Sequence, residues 1–300
     1  LKSLFTPRLA SQTYSPVFNE KSYFERTQRN HFWLGGTDGQ NRLKDLRVGI
    51  AGLGGMGSNL AEIMVRLGVG HIKIADPDTI DYSNINRQVI ANRRTVGMKK
   101  AEASAAELRT IAEDFELVVY DDGITKENAE EFAGDLDIII DEIDVFPLQA
   151  HVWLHQAARK RNLPLYSGFI IGMGTHVYKF QGSQYTFEDF MLNDQKQIQK
   201  PDFDFLVERF VNPVPSYMQK PGVLESFAET SLKTSVPIFG ATTYISQSLI
   251  AVRVISDFLN LHEKCGTVKT PVMPQFISLD PLSLTLQICE VDKGKIRKVG

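Results

Sequence analysis

Cysteine is scarce. The 300 residues contain two, Cys265 and Cys289, too few for a disulfide framework and lacking the CxxC spacing of a structural zinc site. A stapled secreted domain is thereby excluded, and the expected compartment is a reducing cytoplasm. Long apolar runs are also missing: none approaches the roughly 20 residues that span a bilayer. The opening LKSLFTPRLASQTYSP lacks the unbroken apolar core of a signal peptide, so no membrane association is expected. Neither charge sign dominates, with 33 basic residues against 36 acidic and a net charge of −3. That balance implies no polyanion partner, although it leaves room for a local basic groove. There is no internal repeat and no low-complexity tract. What remains is 43% hydrophobic and 23% charged, ordinary for a soluble globular enzyme and long enough for one large α/β domain or a domain with an elaborated lobe. The chain opens at Leu1 rather than Met, which leaves open that it is a piece of something longer.

Periodicity divides the chain into four stretches. Residues 1–45 read as an extended arm followed by two short helices around a glycine turn. Residues 46–175 alternate buried-looking strands (RVGIA, HIKIA, FELVVYD, DLDIIID, LYSGFIIG) with helices, the pattern of a parallel sheet covered on both faces. Residues 176–236 are rich in Phe, Pro and charge with no clear strand, and read as a helical insertion or lid. Residues 237–300 supply a long apolar helix and a closing antiparallel hairpin of the same domain. The expected fold class is α/β: a Rossmann-like, doubly wound, mostly parallel sheet carrying a helical insertion and a C-terminal hairpin.

The chemistry starts at AGLGGMGSN. Gly52, Gly54 and Gly57, with Gly55 between them, form G-x-G-x-x-G directly after a strand and at the opening of a helix. Glycines permit the tight turn and close backbone approach, and the helix N-terminus presents free N–H groups to phosphate. Asp76 ends the next strand about 20 residues on, where a ribose-hydroxyl acceptor is expected. Alone, this suggests NAD. The following DPDTIDYSNINRQ does not suit hydride transfer, because it crowds Asp78, Asp81, Asn84, Asn86, Arg87 and Gln88 beside the same crevice. Arg87 can fork onto phosphate oxygens, and Asn84 and Gln88 can bond oxygens without adding charge. Lys100 opens a later helix, where its ammonium could reach phosphate. IIIDEID closes a buried strand with Asp141 and Asp144, at the sheet edge where ligands bind, and a carboxylate there can hold Mg²⁺.

The ordered set from Gly52 to Gln88, with Lys100 and the D-x-x-D of Asp141 to Asp144, resembles the ThiF/MoeB/HesA family, prokaryotic relatives of ubiquitin-activating E1 enzymes. The resemblance runs from about Phe24 to Gly172, is fainter from Pro237 to Leu261 and is absent from the insertion. It implies a homodimer that binds ATP and Mg²⁺, adenylates a carboxylate of a ubiquitin-like protein, a peptide or another molecule, and releases pyrophosphate. By motif position, Asp76 resembles the ribose ligand; Asn84, Arg87, Gln88 and Lys100 resemble phosphate contacts; Asp144 resembles the metal ligand. The family also sends an arginine from the partner's N-terminal helix into the site, for which ERTQRN offers Arg26 and Arg29, with Arg29 preferred. Elementary electrostatics agrees: an anionic carboxylate must meet an anionic phosphate, so cations must first neutralise the repulsion, and no general base is needed.

The chain departs from the family in lacking the paired CxxC motifs, so no zinc is expected. Cys289 reads as a buried small apolar residue and Cys265 as a loop thiol. A likeness to the family's dehydratase branch makes tRNA a possible but less favoured substrate. His151 and His155, four apart on one helix, have a metal-binding spacing, but the sequence offers no third ligand beside them and packing is the preferred reading. The alternatives to catalysis are a nucleotide-binding scaffold or an NAD-dependent oxidoreductase.

Overall fold

A computed structural model gives the fold and describes residues 10–146, 148–192, 202–292 and 295–299. The elements follow as β1 (Gln12–Tyr14), α1 (Glu20–Leu34), α2 (Thr37–Asp45), β2 (Arg47–Ala51), α3 (Gly57–Leu67), β3 (His71–Ala75), α4 (Lys100–Ile111) and β4 (Glu116–Tyr120). Next come α5 (Ala129–Phe132), β5 (Ile138–Asp141), α6 (Leu148–Lys160), β6 (Leu165–Ile171) and β7 (Gly174–Phe180). The chain continues with α7 (Phe187–Met191), α8 (Phe203–Leu206), α9 (Val223–Lys233), α10 (Gly240–Leu259) and α11 (Leu261–Cys265), and closes with β8 (Gln275–Asp280), β9 (Thr285–Asp292) and β10 (Lys295–Lys298).

All ten strands join one sheet in the order β1-β4-β3-β2-β5-β6-β7-β8-β9-β10. β4, β3, β2, β5 and β6 run parallel, and every other pairing is antiparallel. Parallel strands are covered on both faces and so need apolar side chains in both directions, which is what Ile138, Ile139 and Ile140 of β5 provide. One face carries a core shared with α3, α4 and α10, among them Leu60, Leu108, Ile250 and Val254. The other carries an aromatic-rich core with Phe132, Phe180, Phe187 and Phe190. Strand order reverses between β2 and β5, where ligands gather in open α/β sheets. Their last residues, Ala51 and Asp141, are register partners, so the glycine turn and the D-x-x-D turn leave the sheet side by side.

α1 is fastened by its inner face. Tyr23 is fully buried, donates its hydroxyl hydrogen to Gly68 O (2.7 Å) and accepts from Gln40 Nε2 (2.9 Å). Arg26 donates to Asp114 and to Val65 O (2.9 Å). Phe32 and Trp33, on the same helix, are exposed.

Three strands depart from the sequence reading. β1 lies in the N-terminal arm and pairs with β4 at the sheet edge; it is three residues long and carries no apolar alternation. β7 falls across the boundary placed at 176. The Gly172–Met173 turn, with Gly172 at φ +60°, reads as a strand end but instead folds THVYKF back onto β6. β10 adds a third strand to the closing hairpin. The helical character expected after Tyr185 is present in α7, α8 and α9, while residues 1–9 of the arm and 193–201 of the insertion lie outside the described residues. No helix of the described residues is long and apolar enough to cross a membrane.

Candidate active site

Steric contact fixes two glycines of the turn between β2 and α3. At Gly52, φ is +87° and a Cβ would lie 2.1 Å from Glu142 O; at Gly57 a Cβ would lie 1.8 Å from Gly52 O. Any side chain there would force the two turns apart. At Gly54 a Cβ would meet nothing nearer than Gln88 Nε2 at 4.0 Å, so the turn is open on its cavity side. Gly55 lies under the aliphatic part of Arg87, whose Cγ would stand 2.9 Å from an added Cβ.

Asp76 ends β3 and is buried. Its carboxylate accepts from Leu53 N (2.6 Å), inside the glycine turn, and from Asp78 N (2.8 Å). Burial raises its pKa, against the pull of Lys100 and of both N–H groups. Lys100, buried at the start of α4, places its ammonium 2.8 Å from Asp78 and 4.0 Å from Asp76. Burial disfavours that charge, but Asp76 and Asp78 outweigh it and hold the lysine pKa above its usual value. The sequence reading gave Lys100 to phosphate; the structure stations it beneath the two aspartates.

Between them, Asn84 is buried and accepts from Asp81 N through Oδ1 (3.0 Å), closing a capping box. Gln88 is buried with Oε1 unpartnered among the described residues. Arg87 is half-buried and donates through Nη1 to Ser83 O (3.2 Å) and Asn86 Oδ1 (2.9 Å). It has no carboxylate within ion-pair distance among the described residues. Burial lowers its pKa and the field of Asp144 opposes this.

The D-x-x-D turn contains the largest departure from the sequence reading. His151 and His155 do have a third group: Asp141, whose Oδ2 lies 2.7 Å from His151 Nδ1 and 3.0 Å from His155 Nε2. All three side chains are buried, and their candidate ligand atoms lie within 4.8 Å of one another. The other nitrogen of His151 lies 3.0 Å from Asp144 O. Both ring nitrogens therefore face oxygen acceptors, so both carry hydrogen and the ring is an imidazolium. Burial opposes that charge but Asp141 outweighs it and raises the His151 pKa. For Asp141, burial alone would raise the pKa; His151 and His155 bring it below the usual carboxylate range. Burial lowers His155, which remains neutral. The three groups satisfy one another and tie the turn that presents Asp144. Asp144 is itself exposed, with no hydrogen bond or ion pair to its carboxylate among the described residues.

Glu142 was not foreseen. It is 8% exposed, accepts from Gly168 N through Oε1 (3.1 Å) and leaves Oε2 without a partner among the described residues. Burial first, and then the Asp141 charge, push its pKa well above the usual value and favour its protonated form. The available signal was an acidic residue set between two aspartates at the end of a buried strand. A folded pKa above the unfolded one means stability falls as pH rises above about 4.3, the ordinary glutamate value. Glu142→Gln, isosteric and permanently neutral, should therefore raise the melting temperature at pH 8 relative to wild type and change it little at pH 4, as scanning calorimetry at both pH values would show.

These elements enclose a cavity of about 350 Å³. One end is formed by Gly54, Gly55, Arg87, Gln88, Glu142 and Asp144, the other by apolar side chains of β6, α9 and the segment before α10. Asp76, Asp78, Asn84 and Lys100 lie outside its lining, on the β3 side of the turn. Asp144 links the two groups, since its field acts on both Arg87 and Lys100. Arg29 is not brought to them: it is exposed on α1 with no partner among the described residues, whereas Arg26 is committed to Asp114. Cys289 is buried in β9 and Cys265 is exposed at the end of α11, neither in the cavity lining.

Comparison with known proteins places the chain among named relatives. The chain is 37% identical over 139 residues to the sulfur carrier protein ThiS adenylyltransferase of Bacillus subtilis, a match covering 46% of this chain and 41% of that protein. It is 29% identical to the sulfur carrier protein adenylyltransferase of Thermus thermophilus over 75% of this chain and 74% of that one. The chain thus spans less than half the length of the Bacillus relative. Its fold superposes on the crystal structure of E. coli MccB with ATP at a TM-score of 0.65 and 17% identity, covering 88% of this chain and 71% of that one. The ThiF family model matches residues 26–296. With that match over most of its length, the chain belongs to the ThiF family.

Proposed function

We propose that the chain activates a carboxylate with ATP, joining a carboxylate oxygen to the α-phosphorus and expelling pyrophosphate. The observation that carries this reading is the pairing of Arg87, which has no carboxylate bound to it among the described residues, with the exposed Asp144 at one end of a single cavity beside the open face of Gly54. Arg87 neutralises phosphate and incoming carboxylate together, which is the main obstacle to their reaction. Gly54 admits phosphate against the backbone, and Asp76 orients the ribose with the lone pairs left over from Leu53 and Asp78. Lys100 keeps Asp76 ionised and offers charge to the same nucleotide. Asn84 and Gln88 complete the phosphate contacts, Gln88 through an amide whose oxygen is otherwise unmatched.

Asp144 fits Mg²⁺: it is a hard oxygen donor, unpaired, beside a phosphate site, and this ion is usually held by one or two carboxylates with substrate phosphates. Bound there, Mg²⁺ would supply charge neutralisation to the polyphosphate. The two named relatives act on sulfur carrier proteins by their names, which supports a small protein or peptide as the source of the carboxylate, in a cytoplasmic setting. A homodimer is proposed with it: the outer surface of α1 carries exposed Arg29 beside exposed Phe32 and Trp33, suited to a second copy receiving the arginine.

The test is exchange of labelled pyrophosphate into ATP with a carboxylate panel. Exchange should require substrate and Mg²⁺, and Asp144→Asn should raise the Mg²⁺ needed for half-maximal rate, because a neutral amide is a poorer ligand for a hard cation. Tight ATP binding with no exchange for any carboxylate would replace catalysis by a scaffold role.

A further inference from the structure

The nucleotide reading leaves half the cavity unused. Asp76 ends β3, on one side of β2, whereas the cavity extends to the other side, over β5 and β6. A nucleotide with its ribose at Asp76 brings its α-phosphate to Gly54 and Arg87, at the mouth of this second half, so that a carboxylate seated there meets the α-phosphorus and pyrophosphate leaves away from the pocket. The lining beyond is Phe146, Phe169, Ile171, Val211, Phe227 and Val236. Of the hydroxyl groups at this end, Ser231 already donates to Phe227 O (2.7 Å) and Thr234 to Thr230 O (3.0 Å), which leaves the Ser235 hydroxyl as the neutral polar group in the wall. Among the described residues, no basic side chain lines it except Arg87, at the phosphate end.

Resting on the adenylating function proposed above, we infer that this half of the cavity is an acyl pocket that selects a carboxylate borne on a bulky apolar residue or group, rather than on glycine or an acidic residue. A glycine tail would leave the apolar walls uncovered. An acidic side chain would be buried with no cation other than the one that must meet phosphate. The whole cavity, phosphate end included, is about 350 Å³, at the small end of ligand sites, which run from about 300 to 1,000 Å³, and this half is smaller still. It admits one residue with its carboxylate, not a folded body. Val211 is 1% exposed and stands in the wall, so enlarging it narrows the pocket, while shortening Phe227 opens it.

The experiment is pyrophosphate exchange by the intact chain with short peptides ending in leucine, phenylalanine, glycylglycine or aspartate, alongside N-acetyl-leucine and N-acetylglycine. Leucine- and phenylalanine-ended acids should exceed the glycine-ended ones in kcat/KM by about 10-fold or more, the discrimination that a few buried methylenes support. Activity with N-acetyl-leucine equal to that with the leucine peptide would identify a small acid as the source; activity with the peptide alone would identify a chain terminus. Val211→Phe should raise KM for the leucine-ended acid and leave the glycine-ended one nearly unchanged, and Phe227→Ala should weaken the phenylalanine-ended acid most. Glycylglycine or aspartate preferred by the wild type, or a leucine-to-glycine ratio unmoved by both variants, overturns the pocket. If no acid supports exchange, melting temperatures decide separately: a larger rise with N-acetyl-leucine than with N-acetylglycine keeps the pocket and removes adenylation, and equal rises remove the pocket.

Discussion

Arg87→Ala is expected to slow pyrophosphate exchange by ~10²-fold or more while weakening ATP binding far less, because a cation on the developing charge acts mainly in the transition state. The guanidinium is held for this: its aliphatic part crosses Gly55, one nitrogen is anchored to Ser83 O and Asn86 Oδ1, and no carboxylate competes for the rest. Lys100→Ala should differ in kind. Removing that ammonium leaves the buried Asp76 beside Asp78 without its cation, so part of the loss should appear as reduced resistance to urea and as a higher KM for ATP. Steady-state exchange, direct ATP binding and urea titration on the two variants separate these effects. An Arg87→Ala rate within about threefold of wild type would remove the guanidinium from the mechanism.

Asp141→Asn should produce the largest stability change in the chain. Breaking a buried ion pair by removing one partner costs about 3–5 kcal/mol, because the other charge stays buried without compensation. Here that charge is the His151 imidazolium, whose Nδ1 hydrogen would face a neutral amide in place of a carboxylate. The pH dependence carries the same signature. Asp141 is depressed, so its contribution is present above the ordinary carboxylate pKa of about 3.9 and is lost as pH falls through the lower folded value. His151 is raised, so its contribution is complete below about 6.5 and is lost as pH rises through the higher folded value. The wild-type pair therefore contributes most between those two ordinary values, and urea midpoints measured from pH 4 to 8 should flatten in the variant. An unchanged midpoint near pH 5.5 would show that the cluster is not charged.

The parts of this arrangement legible in the sequence share one property: a local pattern dictated them. G-x-G-x-x-G follows from backbone collisions within a few residues, and the isoleucines of β5 follow from burial on both faces. What escaped depends on distant partners. Asp141 becomes the third group at His151 and His155 only because β5 hands the chain to α6 through a turn that folds back on its own strand end. Glu142 owes its raised pKa to burial and then to the Asp141 charge, against the opposing hydrogen bond from Gly168 N on the next strand. Lys100 could be placed near the nucleotide by motif, but only the fold shows that Asp76 and Asp78 reach it first. ERTQRN offers Arg26 and Arg29 alike in sequence, and only the fold shows Arg26 paired with Asp114 and Arg29 exposed.

The contact between Gly52 and Glu142 is asymmetric. A side chain at 52 would strike the backbone carbonyl of 142, whereas the Glu142 carboxyl reaches away to Gly168. Position 52 is thus closed to variation by its neighbour's main chain, while position 142 answers to no such veto. Descendants of this scaffold can exchange the residue at 142 for a neutral one of similar size without striking the backbone of the turn that receives phosphate. One wall of the cavity can thus change its hydrogen bonding while the nucleotide turn keeps its shape.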